Sequence, residues 1–263
     1  MAELVNAPLL RVLRNVCRIG CEPRSTGSSG DRPARSRPRA EHARPLRMRG
    51  GLTVGVYDDH VLPHLVDLVL GRPFEQTRAR VAAGLTGEVL EVGFGSGRNV
   101  PHYPSAVNRV LAVDPAAAGR KLAARRVAAS PVPIEFVGLD GQDLPLADES
   151  VDHVLITWTL CTIPDVERAL AEVRRVLRSG GSLHFVEHGR SPRSRIARWQ
   201  DRITPTWGKV AGGCSLNRSI PDLIAGSGLT VTRLETYRMS GLELFGFMFE
   251  GAAIKGARPT QAC

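Results

Sequence analysis

The chain has 263 residues, 43% apolar and 23% charged with 5% aromatic, enough to close a core without disulfide or metal staples. No run approaches the roughly 18 uncharged apolar residues of a membrane span; the nearest, Val61 to Leu70 and Leu242 to Ile254, carry Asp67, Glu243 and Glu250. The formal charge of +9 is concentrated in the first 50 residues, where eleven Arg and no Lys meet four acids, while the rest holds 24 basic and 22 acidic groups. The body is therefore near neutral, which weakens the case for nucleic acid, whose binding needs a basic face on the domain itself.

Residues 22–49 are rich in Arg, Pro, Ser and Gly and almost free of large apolar groups, so residues 1–49 are expected to be a disordered basic extension. Val5, Leu9, Leu10, Leu13 and Val16 make a weak amphipathic helix, and Arg11, Arg14 and Arg18 break any signal-peptide core. Met48, where the sequence changes character, is a credible alternative start. One domain is expected over 50–263. The five cysteines (Cys17, Cys21, Cys161, Cys214, Cys263) are odd in number and scattered; they read as reduced thiols of a cytoplasmic protein, with no metal site.

After residue 50 helices and strands alternate. Val61 to Leu70 and Phe74 to Ala83 read as helices, followed by a strand over Glu88 to Val92 that runs into a glycine loop. Arg109 to Val113 is a second strand, Ala116 to Ala129 a helix stopped by Pro131 and Pro133, Ile134 to Val137 a third strand and His153 to Thr157 a fourth. Asp165 to Arg178 carries the apolar stripe Val166, Leu170, Val173, Val176 and Leu177, with Gly180 and Gly181 as its stop. Leu183 to Val186 is a fifth strand, Leu223 to Ala225 lies on a short helix, and Leu229 to Glu235 and Phe249 to Lys255 are the last strands. This alternation predicts an α/β fold with a parallel sheet covered on both faces.

Ligands of such sheets bind beyond the carboxyl ends of the strands. Here the first strand ends in Glu91-Val92-Gly93-Phe94-Gly95-Ser96-Gly97. Glycines let a backbone approach a ligand closely. The dinucleotide fingerprint wants its third glycine where Arg98 stands, which disfavours a nicotinamide oxidoreductase. Asp114, at the tip of the second strand, can accept hydrogen bonds from both ribose hydroxyls of an adenosine, or can start the next helix with Pro115. Asp140-Gly141 can read an adenine edge or form an ordinary polar turn.

Taken together, EVGFGSG (91–97), VDP (113–115), DGQDLP (140–145), DESVDHV (148–154) and EVRRVLRSGGSL (172–183) resemble the class I S-adenosylmethionine-dependent methyltransferases, in particular the branch with the ubiquinone/menaquinone methyltransferases. VEHGRSP (186–192), WQD (199–201), PTW (205–207) and GGCSLNR (212–218) are similar to the vertebrate membrane-associated alkyl-thiol methyltransferases and their bacterial relatives. The resemblance implies a doubly wound, Rossmann-like seven-stranded sheet in the order 3-2-1-4-5-7-6 with strand 7 antiparallel, and S-adenosyl-L-methionine as cofactor. It implies cofactor contacts at Glu91, Gly93, Gly95, Gly97, Asp114, Asp140, Gly141 and Thr157, with Phe94, Ser96, Pro115 and Gln142 beside them. Gln142 stands where the family often has an acid.

On the acceptor side the candidates are Trp158, Thr159, Glu187, His188, Trp199, Trp207 and Cys214. Trp199 and Trp207 read first as packing residues, Cys214 as a small packing residue, and His188 as a base candidate or a hydrogen-bonded structural His. No Asn-Pro-Pro-Tyr motif follows the fourth strand (the chain reads ITWTLCTIPD), which disfavours methylation of DNA bases or glutamine. Phe245, Phe247 and Phe249 alternate as strand residues do and line either a pocket or the sheet core. The expected acceptor is small and apolar: a thiol, a phenol or quinone precursor, or a lipid amine. The competing reading is a non-catalytic protein that uses the basic arm on a membrane surface.

Overall fold

In the computed structural model the described residues are 62–239, 245 and 247–256. The readings of the basic extension, the helix near its start, Met48 and the beginning of the domain at residue 50 lie outside them. One seven-stranded sheet has the order β3-β2-β1-β4-β5-β7-β6. Its strands are β1 (Gly87–Val92), β2 (Val107–Val113), β3 (Ile134–Gly138), β4 (Val151–Thr157), β5 (Leu177–His188), β6 (Thr230–Arg238) and β7 (Phe247–Ile254). The first five run parallel, and β7 lies antiparallel to both β5 and β6, as expected. The helices are α1 (Leu62–Val69), α2 (Glu75–Ala82), α3 (Ala117–Ala128), α4 (Val166–Val176), α5 (Ser194–Val210) and α6 (Ile220–Gly226). Among the described residues no helix is long and apolar enough to cross a membrane.

Period-two alternation sorts the strand residues into two cores. Leu90, Val92, Val154, Ile156, Leu183 and Phe185 pack with Leu170 and Val173 of α4 and Ile220 and Ile224 of α6. Val89, Ala112 and Leu155 point the other way, to Val81 of α2, Leu85 and Ala123 of α3. Each fully buried Leu, Ile or Val contributes about 1.5–3 kcal/mol, so central strands that bury both faces hold the sheet edge rigid under the site.

The stripe expected on 165–178 is buried as Val166, Ala169, Leu170, Val173 and Val176, and Asp165 caps the helix by accepting from Arg168 N at 3.0 Å. The helix nevertheless ends before the two glycines. Leu177 is already extended and pairs with Val151, while His153 pairs with Ser182. Residues 178–181 therefore bulge from β5, with Gly180 at φ +78°, and the glycines shape that bulge instead of stopping α4. Helix α5 had no counterpart in the sequence reading. It carries Pro205 in its interior, which breaks the run that would otherwise read as a helix along Ile196, Trp199, Ile203 and Trp207.

Candidate functional site

The glycine loop leaves β1 at the carboxyl edge of the sheet. Gly93, Gly95 and Gly97 have φ of +80°, +54° and +73°, a region costly for any side chain. Gly93 N donates to Val113 O at 2.8 Å, tying the loop to the tip of β2. A Cβ on Gly93 would stand 2.0 Å from Thr159 Oγ1, whereas one on Gly95 would meet nothing nearer than Gly93 O at 4.0 Å. Gly95 is thus the point where bare backbone faces open space. Helix α3 starts against it, since a Cβ on Gly119 would be 3.1 Å from Gly95 O.

Asp114 joins the two halves of this cradle. Its Oδ2 accepts from Gly95 N and its Oδ1 from Ala116 N, each at 2.7 Å. Burial raises its pKa, and those two amides oppose the rise. Asp114 and Pro115 do not cap α3, whose N-cap is Ala116 with no side-chain cap; Pro115 is exposed before it. Ser96 Oγ donates to Asp67 Oδ1 at 2.5 Å, and Arg98 Nε and Nη2 reach the same carboxylate at 2.7 and 2.6 Å. Those bonds lay α1 across the loop. They also commit Arg98, the residue standing at the third dinucleotide glycine.

Glu91 lies beneath the loop, 1% exposed. It accepts from Asn99 Nδ2 at 3.0 Å and from the Tyr103 hydroxyl, and burial pushes its pKa up to about 7. Arg78 Nη1 reaches Asn99 Oδ1 at 2.8 Å and Thr157 Oγ1 at 3.2 Å, and Asn99 also reaches Thr157 Oγ1 at 3.1 Å. The side chains of Glu91 and Thr157, two of the expected cofactor contacts, are engaged in this buried network. The Phe94 ring packs edge-on against Phe136, centroids 5.1 Å apart, so its backbone is what it offers at the loop. Arg78, Asn99 and Tyr103 went unassigned in the sequence, although Asn99 lies two residues past the glycine motif.

Asp140 is exposed at the end of β3. Its Oδ1 accepts from Gln142 N and Nε2, both at 2.8 Å. Gln142 Oε1 in turn accepts from Asp165 N at 2.8 Å, so the amide braces this turn against the start of α4. Gly141 sits where a Cβ would be 2.8 Å from Val92 Cγ1. The open Gly95 backbone, the buried Asp114 and the Asp140-Gly141 turn follow β1, β2 and β3 on one sheet edge, and this set fits an adenosine-bearing cofactor.

The loop after β4 borders the cradle through Thr159. It is clamped: Glu187 Oε1 accepts from Thr159 N at 2.6 Å and Leu160 N at 2.9 Å, and Arg218 donates to Leu160 O and, at 2.7 Å, to Ile163 O. Burial raises Glu187 to about 7, and its Oε2 is buried without a hydrogen-bond partner. Trp158 holds a left-handed φ of +51°, with the Arg78 guanidinium 4.6 Å above its ring and Phe74 at 4.9 Å.

Beside this loop Cys161, His188 and Cys214 converge, their ligating atoms all within 4.8 Å of one another. His188 Nε2 is 3.2 Å from Cys214 Sγ, and His188 Nδ1 is buried without a partner. The neighbouring Cys161 and then His188 pull the Cys214 thiol down, while Cys161 itself is pushed up. Burial disfavours the His188 cation, but Cys214 outweighs it and raises the pKa. Leu216, Trp207 and Phe245 pack around the sulfurs, with the Trp207 and Phe245 rings 4.7 Å apart. Cys214 thus joins a cluster with Cys161 and His188 whose geometry could hold a metal ion and which no sequence spacing announces. Trp199 stands apart, 55% exposed on α5 with Arg202 at 5.9 Å from its ring. Phe249 enters the sheet core, and Phe245 precedes β7.

Residues 90–185 match the family described as a methyltransferase domain. Residues 90–185 thus carry the sequence of a methyltransferase domain. The chain is 38% identical over 149 residues to thiol S-methyltransferase TMT1B of Homo sapiens, covering 55% of this chain and 61% of that protein. It is 35% identical over 147 residues to demethylmenaquinone methyltransferase of Thermobifida fusca, covering 53% and 62%. The chain thus spans about three fifths of the length of these curated relatives. Among solved structures, a SAM-dependent methyltransferase from Thermotoga maritima superposes with a TM-score of 0.55 at 22% identity, covering 77% of this chain and all of that one. The domain's glycine loop and its loop after β4 both fall inside the matched segment; His188 and Cys214 lie beyond it.

Proposed function

We propose that this chain transfers the methyl group of S-adenosylmethionine to a small apolar acceptor, an alkyl thiol ahead of a phenol, quinone precursor or lipid amine. The observation that carries the reading is the cradle around Gly95 and Asp114, bordered through Thr159 by a sulfur- and aromatic-lined cluster on the same sheet edge. The cofactor, when bound, supplies an already activated methyl on a sulfonium. What the protein adds is alignment and exclusion of water. Gly95 and Asp114 hold the nucleoside end, Asp140 and Gly141 its base, and the clamped 158–163 loop sets the distance to the acceptor. The similarity to thiol S-methyltransferases and the apolar shell of Trp207, Leu216 and Phe245 favour a thiol. With Nε2 engaged by Cys214, His188 works on the acceptor side together with that sulfur and not as a free base.

Calorimetric titration with S-adenosylhomocysteine, beside NADH and an Asp114→Ala variant, tests the cofactor. Saturable binding of the first ligand alone, weakened in the variant, is expected; binding of NADH alone would revive the oxidoreductase. Transfer of labelled methyl from S-adenosylmethionine to alkyl thiols, phenols and lipid amines then ranks acceptors, and turnover confined to phenols or amines removes the thiol.

A further inference from the structure

We propose that Cys161, His188 and Cys214 form a binding site for a thiophilic divalent cation, zinc above all. Two sulfurs and an imidazole are the donor set of zinc and not of magnesium or calcium. The three residues come from the loop after β4, the end of β5 and the segment between α5 and α6, so the site exists only in the folded chain. Tetrahedral zinc, with bonds of about 2.3 Å to sulfur and about 2.0 Å to nitrogen, sets its ligand atoms roughly 3.5–4 Å apart. Here all three ligating atoms lie within 4.8 Å of one another, with 3.2 Å between His188 Nε2 and Cys214 Sγ. Small side-chain adjustments therefore suffice.

The backbone under the donors is fixed independently of any ion. Ser215 N donates to Cys161 O at 2.8 Å, Cys214 N to Ala211 O at 3.0 Å, and His188 is paired in register with Met248. Leu216, Trp207 and Phe245 shield the sulfurs from water. A second observation points the same way: Glu187, the neighbour of His188, buries a carboxylate oxygen that no donor satisfies. A buried carboxylate oxygen left without a donor is costly, and a nearby cation offsets that charge.

Three protein ligands leave zinc's fourth position open, the arrangement of catalytic sites. The consequence for the acceptor rests on the proposed function. A thiol bound there loses its proton to solvent; its sulfur lone pair forms the new C–S bond as the methyl's bond to the sulfonium breaks, and that electron pair stays on the departing sulfur as a neutral thioether.

The test uses the full chain, freed of metal by chelator and titrated with Co²⁺, then Zn²⁺. About one equivalent of Co²⁺ is expected to give the intense near-ultraviolet sulfur-to-cobalt absorption of a tetrahedral thiolate site, displaced by Zn²⁺. The band should vanish in Cys161→Ser and Cys214→Ser, weaken in His188→Gln, and persist when Cys17, Cys21 and Cys263 are changed to Ser. A wild-type far-ultraviolet circular dichroism spectrum and a cooperative thermal melt certify each variant as folded. X-ray absorption at the zinc edge of the unmutated protein, showing two sulfur and one or two nitrogen or oxygen ligands, needs no variant at all. The absence of a band in the wild type, a band that survives both Cys→Ser changes, or a sulfur-free first shell overturns the proposal. Cofactor binding is read separately, so failure of the proposed function would not be mistaken for failure of the site.

Discussion

Asp114 Oδ2 accepts a hydrogen bond from Gly95 N at 2.7 Å while its Oδ1 accepts one from Ala116 N at the same distance. One carboxylate thus fixes the glycine loop and the entry to α3 together. Because both oxygens act as acceptors for backbone donors, an amide cannot replace it: one side of Asn would present N–H to N–H. Asp114→Asn and Asp114→Ala are both expected to weaken S-adenosylhomocysteine binding by about 10- to 100-fold, the scale of a lost charged hydrogen bond. Calorimetry reads this directly. An Asn variant that binds as tightly as wild type would show that the second acceptor oxygen is dispensable.

The glycines of the loop should separate stability from binding. Gly93→Ala puts a methyl 2.0 Å from Thr159 Oγ1 at φ +80°, so strain and overpacking together are expected to cost about 3 kcal/mol. Gly95→Ala meets no neighbour and should cost only about 1 kcal/mol, yet it fills the space where a ligand approaches. Thermal melts beside ligand titration should give a low melting point for the first and a near-native but non-binding protein for the second. The reverse pattern would mean that Gly95 faces no ligand.

Two buried groups oppose each other in pH. Burial raises Glu91 from 4.5 to about 7, so its stabilising contribution is complete below pH 4.5 and is lost as pH rises toward 7. Burial, followed by the neighbouring His153, lowers His184 from 6.5 to about 4, so its contribution is complete above pH 6.5 and is lost as pH falls toward 4. Each amounts to about 3 kcal/mol at most, and the two slopes have opposite signs. Glu91→Gln keeps an acceptor for Asn99 and offers a donor to the Tyr103 oxygen while removing one slope. Urea unfolding is then expected to show the stability of the variant relative to the wild type rising from pH 4.5 to 6.5. Parallel curves would remove Glu91 from the balance.

Arg80 Nη2 and Nε donate to Glu250 at 2.7 and 3.1 Å, and the carboxylate is fully buried in β7 while the guanidinium is half exposed. Removing the Arg strands a buried charge, whereas removing both groups does not. Arg80→Ala is expected to destabilise by about 3 kcal/mol, with much of that recovered in the Arg80→Ala/Glu250→Gln pair. An additive double mutant in chemical denaturation would refute the coupling.

The sheet was legible because its cues are local: alternating apolar strands, the stripe of α4, and motifs whose order implies the strand order. Helix α5 was not, because Pro205 interrupts its run of Ile196, Trp199, Ile203 and Trp207. The glycine loop and Asp114 could be placed together at the tips of two strands from spacing, and the structure brings them together. The network around Glu91 and Thr157 could not be foreseen because nothing local says that Arg78, Asn99 and Tyr103 would enclose them. Cys161, His188 and Cys214 share no sequence spacing; only the adjacency of β4 and β5 and the return of the chain after α5 brings their donor atoms together.

The antiparallel β7 has one further consequence for how the chain assembles on a ribosome. Among the described residues β6 has no sheet neighbour except β7, and β7 follows all the other described strands in chain order. Until it emerges, β5 keeps a bare edge and β6 remains an orphan, although the strands that build the glycine loop are already paired. The eight residues of β7 take about a second of translation, so the cradle can be complete before the sheet is closed. A ribosome stalled after Arg238 would expose a ligand-competent half-sheet whose open edge invites pairing with another nascent chain.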